Sequence, residues 1–238
     1  MPYFFSEENL SLGQAVNIAG DEARHILLSH RIKVGEKIKL QGPDRKRFLC
    51  QVKKVLKSQL SAEPVLELSL PQEPKTDVVL FQTVVSEKAL DFIFQKSTEL
   101  GVKNIILFNS ANAATKLSRE IYEKKFSRWG KIISEAAKQS ERAVIPTLEF
   151  LSGIDQVIKK AQNLNSCFVL DVNGSSINPG NSTASIGLVV GPEGGFTGSE
   201  LEAFKLAGLK LLKVGDVILR AETAALAGIV AARTAFCF

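Results

Sequence analysis

Beyond residue 77 the chain shows two textures in alternation. "DVVLFQTVV", "NIILFNS", "SCFVLDV", "IGLVVG" and "LKLLKVG" are short and nearly continuous in apolar, largely β-branched residues. Runs of that kind predict strands buried on both faces. Between them lie stretches with helical spacing. "KALDFIFQKSTELG" sets Leu90, Ile93, Phe94, Ser97 and Leu100 on one side and stops at Gly101. "SREIYEKKFSRWGKIISEAAKQS" is a long amphipathic helix, and "GIDQVIKKAQNL" a shorter one. "TGSELEAFKLAG" opens with a capping box, Thr197 to Glu200, and ends at Gly208; "AETAALAGIVAARTAF" is the last helix. Strands alternating with helices predict an α/β domain around a mostly parallel sheet.

Upstream the pattern differs. "EKIKLQG" and "RFLCQVKKV" approach strict alternation across a Gly-Pro-Asp turn, a hairpin signal. "LSAEPVLELSL" reads as a further strand and "DEARHILLSHRI" as a short helix. Two prolines and mixed charge in "LPQEPKTD" mark a linker. The expectation is a small β-rich barrel over residues 1–72 followed by the α/β domain over 73–238, without repeats.

Charge sharpens the picture of the first part. Between Arg24 and Lys57, eleven Lys and Arg are opposed only by Glu36 and Asp44, a local balance of +9 against +5 for the whole chain. Such a stretch cannot neutralise itself. It favours a phosphate-binding face, with "DRKR" at the tip of the turn. Three scattered cysteines, Cys50, Cys167 and Cys237, fit reduced thiols in a cytoplasmic protein. No apolar run reaches membrane-spanning length, and the N-terminus lacks the pattern of a secretory signal.

Familiar chemistry is scarce in the second part. There is no P-loop, no Gly-x-Gly dinucleotide fingerprint (Glu193 occupies its third position) and no G-x-S-x-G elbow. His25 and His30 have no nearby cysteine partner, which argues against a metal site. Two glycine-bearing loops remain, "GPEGGFTGSE" and "KVGDVILRAETAALAG", each following a strand. Ligands of open α/β sheets bind at that edge. The loops predict a small molecule held mainly by backbone groups, with Glu193, Arg220, Glu222 and Thr223 as polar company.

These two loops, together with "FIFQKSTELGV", "RWGKIISEAAKQSER" and "HILLSHRIKVGE", resemble the SPOUT methyltransferases that modify N3 of a uridine in small-subunit (16S) ribosomal RNA. The resemblance extends over nearly the whole chain. It implies a PUA-like barrel followed by an α/β domain tied in a trefoil knot, with S-adenosylmethionine bound in a bent form among three loops. Carried onto this chain, the cofactor site comprises Leu170, then Val190, Gly191, Pro192, Gly194 and Gly195. Val214, Gly215, Ile218 and Leu219 complete it, with Thr223 and Ala224 at the start of the last helix. Bare glycines let the backbone reach adenine and ribose. Arg220 is the candidate for stabilising a uracil anion, and Glu193 or Glu222 for taking its proton. Gln95, Lys96 and Glu99 lie in another matching helix.

On the charge of the first part, RNA would be gripped by Arg24, Arg31, Lys33, Arg45, Lys46 and Arg47. One departure bears on this. The loop "NSANAATKL" has Asn112 and Ala113 where the family usually carries an arginine and its companions, which shifts that task to Lys116 or Arg142. The small residues Ala224, Ala225, Ala227, Gly228 and Ala231 imply a homodimer formed beside the cofactor site. The partners implied are 16S rRNA or the assembled small subunit and a second copy, with neither membrane nor metal. The alternatives are a SPOUT-type methyltransferase acting on another RNA nucleotide and a non-catalytic RNA-binding assembly protein, which has no use for both glycine loops.

Overall fold

The computed structural model describes residues 1–177 and 183–236. Two compact units divide it: Met1–Gln72 with Lys138–Ala143, and Glu73–Ala137 with Val144–Phe238.

The first unit is a five-stranded sheet with one helix. Its elements are β1 (Tyr3–Phe5), β2 (Val16–Ile18), α1 (Gly20–Ser29), β3 (Lys37–Gln41), β4 (Arg47–Val55) and β5 (Leu60–Leu68). They pair in the order β1-β3-β4-β5-β2, with only β1 and β3 parallel. Register shifts at Leu49/Cys50 and Val52/Lys54 bend β4 and curl the sheet around its core. Phe4, Ile26, Ile38, Leu40, Phe48 and Leu60 fill that core. The periodicity of "DEARHILLSHRI" overshoots: α1 stops at Ser29, and Arg31 takes a left-handed φ of 49° that no helix can continue through. His25 and His30 set their rings edge-on against Phe4.

In the second unit the elements are β6 (Asp77–Thr83), α2 (Glu87–Glu99), β7 (Asn104–Phe108), α3 (Arg119–Gln139), β8 (Thr147–Leu151) and α4 (Ile154–Ala161). They continue as β9 (Ser166–Ser176), β10 (Ser185–Val190), α5 (Gly198–Leu206), β11 (Lys210–Lys213) and α6 (Ala221–Phe236). The six strands run in the order β11-β9-β10-β6-β7-β8, and every pairing is parallel. One face of the sheet packs Leu80, Leu107 and Leu188 with Ile93, Phe94, Trp129, Ala225 and Ile229. The other packs Phe81, Phe108 and Val189 with Val157 and Phe204. Two buried faces explain why the strands read as continuous apolar runs.

The last helix is bolted to the first helix of this unit. Arg233 donates from Nε to the Leu100 carbonyl (2.7 Å) and from Nη2 to that of Gly101 (2.5 Å). Gly101, at φ 82°, closes α2 and leaves room there: a Cβ would lie 2.9 Å from Arg233 Nη2. Cys50 and Cys167 are free thiols that burial pushes up to about 12, so neither is a ready nucleophile. Cys237 lies outside the described residues.

Residues 138–143 complete the first unit. Glu141, at a left-handed φ of 53°, delivers its carboxylate to Lys39 Nζ (2.7 Å) and Arg47 Nη2 (2.6 Å). The Arg47 guanidinium also covers the Tyr3 ring, 4.5 Å from its centroid, and Tyr3 and Gln41 donate to the Arg142 and Ala143 carbonyls. Lys138 Nζ pairs with Glu22 at 2.5 Å. Hydrogen bonding from Lys39 first, then from Arg47, holds the Glu141 carboxyl below the ordinary carboxylate range, against the opposing effect of partial burial. A lowered folded value stabilises above the unfolded pKa, and that contribution is lost as pH falls through the folded one. Glu141→Gln should therefore cost about 1 to 2 kcal/mol at neutral pH, discounted for the exposed part of the carboxylate. Urea unfolding of both proteins along a pH series should show the gap closing in strong acid; a gap independent of pH would contradict the assignment.

Candidate cofactor cavity and nucleic-acid interface

The cavity begins with an irregularity in a strand. β9 pairs with β11 as Phe168↔Lys210 and Val169↔Leu211, and then resumes as Ser175↔Leu212. The chain from Leu170 to Gly174 therefore departs from regular pairing. Gly174 makes this possible: a Cβ there would lie 2.6 to 2.7 Å from the backbone of Leu211 and Leu212. Leu170, Asp171 and Val172 become one wall of a cavity of about 310 Å³ at the carboxyl edge of the sheet.

A turn after β10 makes the second wall. Gly195 takes φ 66°, and its N–H donates to the Pro192 carbonyl at 2.9 Å. A Cβ on Gly191 would meet the Phe196 ring at 3.1 Å, so that glycine admits an aromatic anchor. Phe196 is buried, stacked on Phe108 and edge-on to Phe204. Thr197 then caps α5: its hydroxyl accepts from Glu200 N–H, and Glu200 Oε2 accepts from Thr197 N–H, the expected capping box. The third wall is the segment after β11, including Val214, Gly215, Ile218 and Leu219, with Ala221 and Ala224 of α6. Ile218 borders the cavity yet is 88% exposed, an apolar side chain with its outer face in solvent.

The lining is electrically lopsided. Asp171, Glu193 and Asp216 face only Lys213, and Lys213 Nζ is already 3.0 Å from Asp216. Two carboxylates are left without a cation among the lining residues. Such a cavity suits a positively charged ligand and repels a diphosphate.

The candidate residues separate on this geometry. Leu170, Val190, Gly191, Pro192, Glu193, Gly195, Val214, Gly215, Ile218, Leu219 and Ala224 all border the cavity. Gly194, Arg220 and Thr223 stand outside its lining. Arg220 is exposed at the rim, between the lining residues Leu219 and Ala221, and its carbonyl accepts from Ala224 N–H. Glu222 is half-buried in the first turn of α6. Asp171, Val172, Phe196 and Asp216 also line the cavity; they lie in the stretches "FVLDV", "VGPEGGF" and "VGDVILRAET" that the resemblance implies for the cofactor, without being singled out there. The signal available for the first two was "LDVNG", an apolar strand that breaks into polar residues and a glycine. Gln95 is exposed, and Lys96 pairs with Glu99 at 2.9 Å on the surface of α2.

The basic candidates divide as well. Arg24, Arg31, Lys33, Arg45 and Lys46 are exposed, and Arg45, at φ 65°, projects from the turn before β4. Arg47 and Arg142 require correction: they are only 5% and 7% exposed, and the Arg47 guanidinium is committed to Glu141 and Tyr3. A buried, partnered guanidinium does not present itself to phosphate. Lys116 is turned back on its own loop, where Nζ donates to the carbonyls of Ser110 and Ala111. Neither Lys116 nor Arg142 is thus a ready replacement for the family's loop arginine.

With this geometry in place, the similarity to known proteins is specific. The chain belongs to the RNA methyltransferase family, whose RNA methyltransferase domain matches residues 71–233. Its relatives there are the ribosomal RNA small subunit methyltransferases E. The one from Aquifex aeolicus (strain VF5) is 31% identical over 227 residues, covering 94% of this chain and 95% of its own. That from Mesomycoplasma hyopneumoniae (strain 232) is 32% identical over 166 residues, 69% of this chain and 73% of the relative. A crystal structure of a ribosomal RNA small subunit methyltransferase E from Neisseria gonorrhoeae, bound to S-adenosyl methionine, matches with a TM-score of 0.90. The two are 31% identical, and the match covers 99% of this chain and 98% of that one.

Proposed function

We propose that this chain is an S-adenosylmethionine-dependent methyltransferase of small-subunit ribosomal RNA, acting on N3 of a uridine. The observation that carries the cofactor assignment is the cavity with apolar walls and two uncompensated carboxylates. S-adenosylmethionine is a net cation with an apolar-faced adenine, and it supplies a methyl group on positively charged sulfur. Asp171 and Glu193 complement that charge. Leu170, Val190 and Leu219 supply the apolar surface, and the bare backbone of Gly191, Gly195 and Gly215 offers hydrogen-bonding edges. The Neisseria gonorrhoeae relative, solved with this cofactor, supports the reading.

Uracil N3 carries a proton that must leave as the ring becomes nucleophilic. Glu193, a carboxylate on the cavity wall, is better placed to accept it than half-buried Glu222. Negative charge then gathers on the uracil carbonyl oxygens. The Arg220 fork at the rim answers it with paired donors, a geometry lysine lacks. Arg220→Lys should retain cofactor affinity within about twofold and lose on the order of a hundredfold in methyl transfer. The assay is labelled methyl transfer to small-subunit RNA or particles, read as N3-methyluridine. Near-normal turnover would remove Arg220 from the reaction, and no N3-methyluridine from the unaltered chain would sink the uridine assignment.

The exposed cations of the first unit are the phosphate-contacting face in this reading. A substrate of ribosomal RNA sets the enzyme in the cytoplasm, and among the described residues no helix is long and apolar enough to cross a membrane. Replacing Arg45 and Lys46 together with Ala should weaken RNA binding. It should also lower the slope of log affinity against log salt by about 0.7 to 0.9 for each phosphate no longer neutralised. An unchanged slope would mean that these side chains do not meet the backbone.

A second copy completes the reading. Phe92 of α2 and Leu226 and Val230 of α6 line an apolar groove with Thr223, Ala227 and Ala231, and Phe92 and Val230 are 43% and 48% exposed. Because Ala224 of the same helix borders the cavity, a homodimer on this groove lies beside the cofactor. Val230→Glu should yield a monomer in light scattering, with a raised cofactor dissociation constant. A variant that stays dimeric would move the interface elsewhere.

A further inference from the structure

The loop after β7 is built as a closed unit. Asn109 pins its far end in both directions, donating from Nδ2 to the Leu117 carbonyl (2.8 Å) and accepting Leu117 N–H on Oδ1 (2.9 Å). Lys116 ties the same base from inside. The tip of this closed loop reaches the glycine turn at two points. Ala111 N–H donates to Glu200 Oε1 at 2.7 Å. Asn112 Nδ2 donates to the carbonyls of Gly194 and Gly195, at 3.3 and 3.2 Å.

Both contacts are specific. Two carbonyl oxygens face the Asn112 amide, so only its NH2 end fits there. Gly194 packs against this side chain: a Cβ there would sit in ordinary contact, 3.4 Å from Asn112 Cβ and 3.7 Å from its carbonyl oxygen. Glu200 is 6% exposed and shares its carboxylate between two tasks. Oε2 serves the Thr197 cap and Oε1 the loop after β7. The two carbonyls belong to the turn that forms the second wall of the cavity, whose own backbone bond joins Gly195 to Pro192, and Glu200 follows in the first turn of α5.

We infer that Asn112 is a positioning residue for the cofactor: it holds the Gly194 and Gly195 carbonyls, and through them the wall formed by Glu193 and Gly195. The role rests on the reading of the cavity as the cofactor site. It also gives Asn112 a task at the position where the family arginine is missing, one directed at the cavity rather than at RNA.

The test compares Asn112→Ala with Asn112→Asp. Alanine removes the donor, whereas aspartate places a carboxylate against two carbonyls and should be the worse of the two. Two readouts are taken: amide hydrogen exchange across residues 193–197 of the ligand-free protein, and S-adenosylmethionine affinity by calorimetry. Asn112→Ala should speed exchange in that segment and weaken the cofactor about fivefold to tenfold. Aspartate should exceed both effects, with the unfolding midpoint little changed. The role is overturned if both variants match the unaltered protein in exchange and affinity. It is overturned equally if stability falls while affinity holds. Should the unaltered chain bind no S-adenosylmethionine, the cofactor reading fails by itself. The exchange data then decide whether Asn112 holds the turn, faster exchange in Asn112→Ala supporting the hold and unchanged exchange ending it.

Discussion

A parallel sheet offers a ligand its carboxyl edge only if the strands there separate, and in this chain the separation depends on close backbone contact at Gly174. The absence of a side chain lets β11 continue against β9 where a Cβ would meet its backbone. The residues before Gly174 depart from regular pairing, and from them come the wall carboxylate Asp171 and the apolar Leu170 and Val172. The turn after β10 and the segment after β11 close around that displaced chain. The other glycines serve different ends. Gly191 makes room for Phe196, and Gly195 supplies a left-handed turn residue. A motif that looks like one glycine-rich feature is thus several separate packing solutions.

Much of the architecture was legible because its causes are local. Continuous apolar runs marked five strands of the second unit, and the Thr197–Glu200 capping box marked the start of α5. β1 and β2 have three residues each, too few for any period to register. β8 went unread because, as an edge strand, its burial is mixed and "TLEFL" alternates over only four residues. The loops of the site were legible as glycine loops, but not the departure from pairing in β9, which depends on a partner strand later in the chain.

Charge misled where neutralisation came from afar. Arg47 belongs to a stretch with almost no acids, yet Glu141, 94 residues away, meets it inside the fold. Counting charges along a window cannot detect such a partner. The remaining exposed cations keep a positive balance on the first unit, while the cavity of the second is lined by an excess of carboxylates. The chain therefore separates two electrostatic requirements, phosphate attraction and complementarity to a cation, onto different units. Placed together, each would weaken the other.

The strand order carries a consequence for synthesis. β10 lies between β9 and β6, so the edge of β6, a strand almost wholly buried in the finished fold, stays unpaired until residues beyond 185 have been made. The first unit is also unfinished when residue 72 emerges, because Arg47 awaits Glu141. Both units of the nascent chain thus wait on later segments, with apolar surface and a strand edge open to other chains in the meantime. For such a fold the period of greatest vulnerability is translation itself, and a slower ribosome lengthens it.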